Sequence, residues 1–113
     1  MKQIKAYIRC EKAEEVIHEL EQAGVKDITL IDVMAIGKNI DMQHARYSFE
    51  CVDKYQKVAK LELFCREEEV VRLVDILRRS AYTGMKGDGI ICVSDVGRIV
   101  KIRTGQEDMA ALV

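Results

Sequence analysis

Apolar positions along the chain fall into two similar groupings. In Ile4-Lys5-Ala6-Tyr7-Ile8, Ile4, Ala6 and Ile8 alternate with longer side chains, the period-two pattern of a strand. From Glu11 to Ala23 the period changes to a helical one, with Ala13, Val16, Ile17, Leu20 and Ala23 on one stripe. Glu11, Glu14 and Glu15 suit the positive start of that helix, and Gly24 stands where a left-handed C-terminal stop is expected. Ile28 to Met34 is rich in β-branched residues and predicts a second strand. The grouping then recurs. Ala59, Leu61, Leu63 and Cys65 alternate as a strand from about Val58, and Glu67-Glu68-Glu69 opens a helix carrying Val70, Val71, Val74 and Leu77. Arg78 and Arg79 close that helix, and Ile90-Ile91-Cys92-Val93 is a last apolar run.

Strand, helix, strand, stated twice in one short chain, predicts an α+β fold. We expect a ferredoxin-like βαββαβ antiparallel sheet with both helices on one face, plus a short C-terminal strand and tail over 98–113. The whole chain, 1–113, reads as a single domain. Right-handed crossovers leave the second face of the sheet open. Yet Ile28–Met34 and Ile90–Val93 are apolar on both faces, as strands buried on both sides are. Self-association is the favoured cover, ahead of a tail folded over the sheet, since the sequence after Val93 offers little helix. Between the two groupings, 37–56 has no regular period. It reads either as a functional loop or as a hairpin extended into solvent through Arg46 to Val52.

Composition adds a few exclusions. The apolar share of 49% is that of a folding chain rather than a disordered one. With 18 Lys+Arg against 19 Asp+Glu, the net charge of −1 gives no nucleic-acid footprint, and no aromatic platform accompanies the basic residues. No stretch approaches a membrane span and the N-terminus lacks an apolar leader core, so the expected location is the cytoplasm, without membrane insertion. Cys10, Cys51, Cys65 and Cys92 stand singly, with only His18 and His44 as imidazole partners. Zinc sites favour close pairs of ligands, so reduced, mostly buried thiols are expected and no metal ligand is assigned.

Candidate chemistry gathers late in the chain. Thr83-Gly84-Met85-Lys86-Gly87-Asp88-Gly89 separates the second helix from a strand, and such a loop can turn its N–H groups onto an anion. It is no Walker A loop, and a plain helix-to-strand turn is the commoner use of such glycines. Further on, Lys101 and Arg103 lie two apart, so on an extended strand they point the same way, toward a di- or triphosphate. A charged edge strand would look the same. Asp88 could hold a metal or a hydroxyl, although Asp in a Gly-Asp-Gly turn more often serves the turn itself. Nucleophile and base do not come together anywhere in the pattern, so no catalytic residue is assigned and no enzyme is expected.

Thr83-Gly84-x-x-Gly87-Asp88-Gly89, with Ile102-Arg103-Thr104-Gly105 further on, resembles the P-II family of nitrogen-regulatory signal-transduction proteins. Ile4-x-Ala6-x-Ile8-Arg9, Gly24, Thr29 and Gly37 extend the resemblance along the whole chain. It implies a ferredoxin-like homotrimer that binds ATP or ADP in clefts between subunits and docks a long loop, here 37–56, onto a membrane transporter or metabolic enzyme. It implies no catalysis. By position, Gly87, Asp88 and Gly89 within the 83–89 phosphate loop would meet phosphates, and Lys101 and Arg103 would neutralise them. Thr29, Phe64, Thr83 and Gly84 would surround adenine and ribose, and Gly37 and Lys38 would complete the site.

Several positions depart from the family pattern. Ile90 stands where the family has a lysine reaching the phosphates, and Lys101 replaces an arginine. Asn39 replaces a glutamine that helps hold magnesium and 2-oxoglutarate, which leaves a Mg²⁺ requirement open. Val58 stands for a lysine that pairs with 2-oxoglutarate, Cys51 for the loop tyrosine that some members have uridylylated, and Cys10 for a proline. Losing one charged phosphate contact costs about 1.5–3 kcal/mol, so weaker ATP binding, or a shift toward ADP or AMP, is expected. The competing readings are a trimeric binder of a metal or small anion such as bicarbonate, resting on Cys51 and His44, and a small acyl- or phosphoryl-handling enzyme.

Overall fold

The computed structural model describes residues 1–37, 46–48 and 53–112. Strand β1 (Lys2–Arg9) leads through a 3₁₀ turn (Cys10–Lys12) into helix α1 (Ala13–Gln22), and β2 (Thr29–Ala35) follows. Strands β3 (Arg46–Ser48) and β4 (Asp53–Cys65) precede a second 3₁₀ turn (Glu67–Glu69), helix α2 (Val70–Ala81) and β5 (Ile90–Asp95). The sheet runs β2-β4-β1-β5, antiparallel throughout, with β3 paired to the start of β4. This is the ferredoxin-like α+β arrangement expected from the alternating patterns.

The period-two residues form the core. Ile4, Ala6 and Ile8 of β1 face Leu63, Leu61 and Ala59 of β4, and all six are buried under Val16 and Leu20 of α1 and Leu73 and Leu77 of α2. Helix α1 stops as its sequence requires. Gly24, at φ +95°, donates to the Glu21 carbonyl and Val25 to that of Leu20, a Schellman closure. Arg72 of α2 then donates to the Ala23 carbonyl, tying the two helix ends together.

Some details go beyond the expected pattern or differ from it. Both helices begin with a tight 3₁₀ turn rather than directly as α-helix. Part of the aperiodic 37–56 segment is a hairpin, with Arg46 opposite Tyr55 and Ser48 opposite Asp53, which makes β4 thirteen residues long. The rest of that segment, with Lys38, Asn39, His44 and Cys51, lies outside the described residues. Strand β2 is not buried on both faces within one chain. The helices centre on the inner strands, so Leu30 and Ile31, on opposite faces of this edge strand, are 49% and 38% exposed.

The C-terminal segment is not the extended strand that the Lys101/Arg103 spacing presumed. Val100 and Glu107 form a single bridge, Lys101 donates to Gln106 and Gly105 donates back to Lys101, so the chain between them is a turn. Gly105 permits it at φ +73°, and Arg98 pairs with Glu107 across it. Lys101 and Arg103 therefore do not share a strand face. A 3₁₀ helix (Asp108–Leu112) follows, with Met109 and Leu112 close to Phe64 and Leu73 at one end of the sheet.

Candidate functional site

Strand alternation puts Tyr7 and Arg9 of β1, Gln56 and Val58 of β4, and Ile90 of β5 on the face away from the helices, at one end of the sheet. The 83–89 loop closes over that end. With that loop, Tyr7, Gln56, Val58 and Ile90 line a cleft of about 690 Å³, with Val33 to Ile36 of β2 as the far wall and Met85 to Ile90 as the near one. Most of this lining is apolar, and Lys86 is its one cationic side chain among the described residues.

The loop is built around Asp88. One carboxylate oxygen accepts from the Thr83 and Gly84 backbone N–H groups, both at 2.9 Å. The other accepts from the Thr83 hydroxyl and, at 3.0 Å, from Nε of Arg9. Burial pushes the Asp88 carboxyl up, but those hydrogen bonds outweigh it and hold the group well below the usual carboxylate range. Asp88 thus organises its own loop and is not a free ligand for a metal. The Thr83, Gly84 and Met85 amides are committed inside the loop, which leaves 86–89 as the stretch along the cleft.

Two partners of this loop escaped sequence reasoning. Arg9 has a side chain only 1% exposed, and its Nη2 donates to the Lys86 carbonyl at 2.8 Å. Gln56 is buried, and its Nε2 donates to the Gly87 carbonyl at 3.1 Å. Arg9 ends a strand and Gln56 sits in an aperiodic stretch, so neither carried a local signal. A buried arginine implies a nearby carboxylate, but nothing local named Asp88, 79 residues away.

The expected site residues divide between two places. Gly87, Asp88, Gly89 and Ile90 line the cleft, Thr83 and Gly84 lie behind it, and Gly37 follows its β2 wall. Thr29 pairs with Glu62 toward the other end of the sheet, where Phe64 borders a second cleft with Met109 and Leu112. Lys101 and Arg103 belong to the turn after β5, whose exit is fixed by Val96 donating to Met1, again at the end remote from the glycine loop. One chain therefore does not gather Lys86, Lys101 and Arg103 around one glycine loop. Lys38 and Asn39 are outside the described residues. Ile90 and Val58, the two positions departing from the expected lysines, both line the same cleft.

Among the described residues, no cysteine lines the glycine-loop cleft. Cys65 is buried, and burial pushes its thiol up, whereas Cys10 is half-buried and Cys92 exposed, so the thiols are less uniformly buried than expected. Among the described residues no group of three His, Cys, Asp or Glu side chains is placed to hold a metal, and no helix is long and apolar enough to cross a membrane.

Fold and cleft together define a ferredoxin-like domain with a cleft lined mainly by backbone and apolar side chains. The family model for nitrogen regulatory protein P-II matches residues 1–106. Nitrogen regulatory protein P-II 1 of Methanothermobacter thermautotrophicus is 37% identical over 113 residues, covering 99% of this chain and 97% of the relative. The P-II protein of Klebsiella oxytoca and P-II 1 of Escherichia coli K12 are each 34% identical over 112 residues, covering 99% of this chain and all of each relative. The chain belongs to the P-II family of nitrogen-regulatory signal-transduction proteins.

Proposed function

We propose that this protein is an adenine-nucleotide-responsive regulator that binds ADP, ATP or AMP at the glycine-loop cleft and controls a partner transporter or metabolic enzyme through its 37–56 loop. The observation that carries this reading is the loop itself. Asp88 and Arg9 fix its shape without being spent on a reaction, and the 86–89 backbone is left along a roomy cleft. Since Asp88, the carboxylate among the described lining residues, is occupied by four structural hydrogen bonds, we read the cleft as binding rather than catalytic. Thr29, Phe64, Lys101 and Arg103 would be supplied by a neighbouring copy. A cytoplasmic homotrimer provides that arrangement, and it would also cover Ile31, exposed on the open face.

Isothermal calorimetry with ATP, ADP and AMP, with and without Mg²⁺ and 2-oxoglutarate, tests the reading. Binding of at least one nucleotide is the expected result, and none at any accessible concentration would sink it. Arg103→Ala should weaken nucleotide affinity by about tenfold, the worth of one charge-assisted contact. Unchanged affinity would mean that the C-terminal turn takes no part.

The apolar character of position 90 makes a second, gain-of-function prediction. Ile90 is 62% exposed and lines the cleft, so a lysine fits there without disturbing the core. Ile90→Lys should raise ATP affinity by about fivefold to tenfold and leave AMP nearly unchanged, a charged contact discounted for solvent. Equal gains for both nucleotides would show that the new cation does not reach the outer phosphates.

A further inference from the structure

We infer that Arg9 and Gln56 are positioning residues that preset two backbone amides of the glycine loop for an anion; the inference rests on the nucleotide reading above and names what orients the phosphate-binding backbone. Arg9 holds the Lys86 carbonyl and Gln56 holds the Gly87 carbonyl, two successive peptide units of one loop. Arg9 stands opposite Val58 on β4, so Gln56, two residues along that strand, is its diagonal neighbour on the same sheet face. Both carbonyls are thus drawn toward the same strand end. Each peptide unit is trans, so N–H points away from the carbonyl of the preceding residue. Drawing the Lys86 and Gly87 carbonyls toward β1 and β4 turns the Gly87 and Asp88 N–H groups away from the strands. Two adjacent amides facing outward, on a backbone with Gly87 at φ +105° and Gly89 at φ +102°, form an anion-binding concavity.

Electrostatics favour the same use. The Asp88 charge is balanced by buried Arg9 and by three further donors, so the carboxylate opposes an incoming anion less than its position implies. Arg9 itself is 1% exposed and acts through the backbone rather than by touching a ligand. Gln56 presents a neutral donor at a position that adds no charge to the cleft.

The test compares wild type with Gln56→Leu and Arg9→Lys by calorimetry, using ADP, adenosine and inorganic pyrophosphate as three separate probes. Leucine keeps the bulk but cannot donate, and lysine keeps the charge but has no fork to serve Asp88 and the Lys86 carbonyl together. Affinity for ADP and for pyrophosphate should fall by about fivefold to tenfold in each variant, while adenosine affinity stays as in wild type. If adenosine loses as much as ADP, the residues only shape the cleft and the inference is overturned; an unchanged ADP affinity overturns it as well. Should Gln56→Leu fail to fold by circular dichroism, Gln56→Met keeps the length without an amide donor or a charge and is held to the same split between ADP and adenosine. If the wild-type protein binds pyrophosphate but no adenine nucleotide, the nucleotide reading falls while the anion site is judged on the pyrophosphate arm. If it binds neither, both fall.

Discussion

Gly89→Ala is expected to destabilise the protein by about 3 kcal/mol or more and to abolish nucleotide binding. A Cβ built at this position would lie 1.7 Å from the Tyr7 carbonyl oxygen, far inside contact distance, and that oxygen belongs to the central strand β1. The backbone there is at φ +102°, which an L-residue rarely adopts. Strain and overlap act together, and neither neighbour is a flexible side-chain tip that could move aside. Either β1 or the loop must shift, and the loop is the less deeply packed of the two. Thermal unfolding followed by circular dichroism reads the stability loss, and calorimetry with ADP reads the site. Gly84→Ala is the milder comparison, because its Cβ would meet only the Tyr82 ring, at 3.1 Å from the hydroxyl. A Gly89→Ala protein with wild-type stability and ADP affinity would contradict the close approach of loop to strand.

Arg9→Met should cost about 3 kcal/mol, toward the lower end for breaking a buried ion pair because Asp88 keeps 24% of its side-chain surface in solvent. The substitution leaves the Lys86 carbonyl without its donor and Asp88 without its cation. It should also alter the response to acid. In the wild type the Asp88 carboxyl is held well below its ordinary value of 3.8, so its contribution to stability is complete above that pH and fades as pH falls below it. The Thr83 hydrogen bonds are the larger cause of that depression and remain, so without Arg9 the folded-state value moves only part of the way back, and this acid limb partly flattens. Denaturant unfolding between neutral pH and about pH 2 would show the effect, as a stability gap between the two proteins that narrows only at the acid end. A gap that stays constant with pH would mean that the Arg9–Asp88 pair does not govern the loop.

Much of the fold was visible in the sequence because its signals are local. Ile4, Ala6 and Ile8 alternate because one face of β1 is buried, and Gly24 marks a helix end because it alone tolerates the left-handed turn there. Extended strand and turn were confused at 98–105 for the same reason. Lys101 and Arg103 satisfy a two-residue alternation, but the hydrogen bonds between Lys101 and Gln106 and from Gly105 decide the shape, and spacing does not encode them.

The site divides along the same line. The glycine cluster was legible, because several left-handed residues in a row need glycine, and Gly84, Gly87 and Gly89 all have positive φ. What holds the cluster was not. Arg9 reaches Asp88 across 79 positions, and Gln56 reaches Gly87 across 31. Long-range pairing of this kind leaves no period and no motif in a single sequence. The amino-acid order by itself determined the alternating strands, the helix stops and the glycine loop, since each depends on neighbours within a turn or a strand. Only the tertiary structure decided which carbonyls that loop turns inward, and that Lys101 and Arg103 stand at the far end of the sheet from it. Those outcomes depend on how β1, β4 and β5 align, and that alignment is fixed by the packing of the whole core.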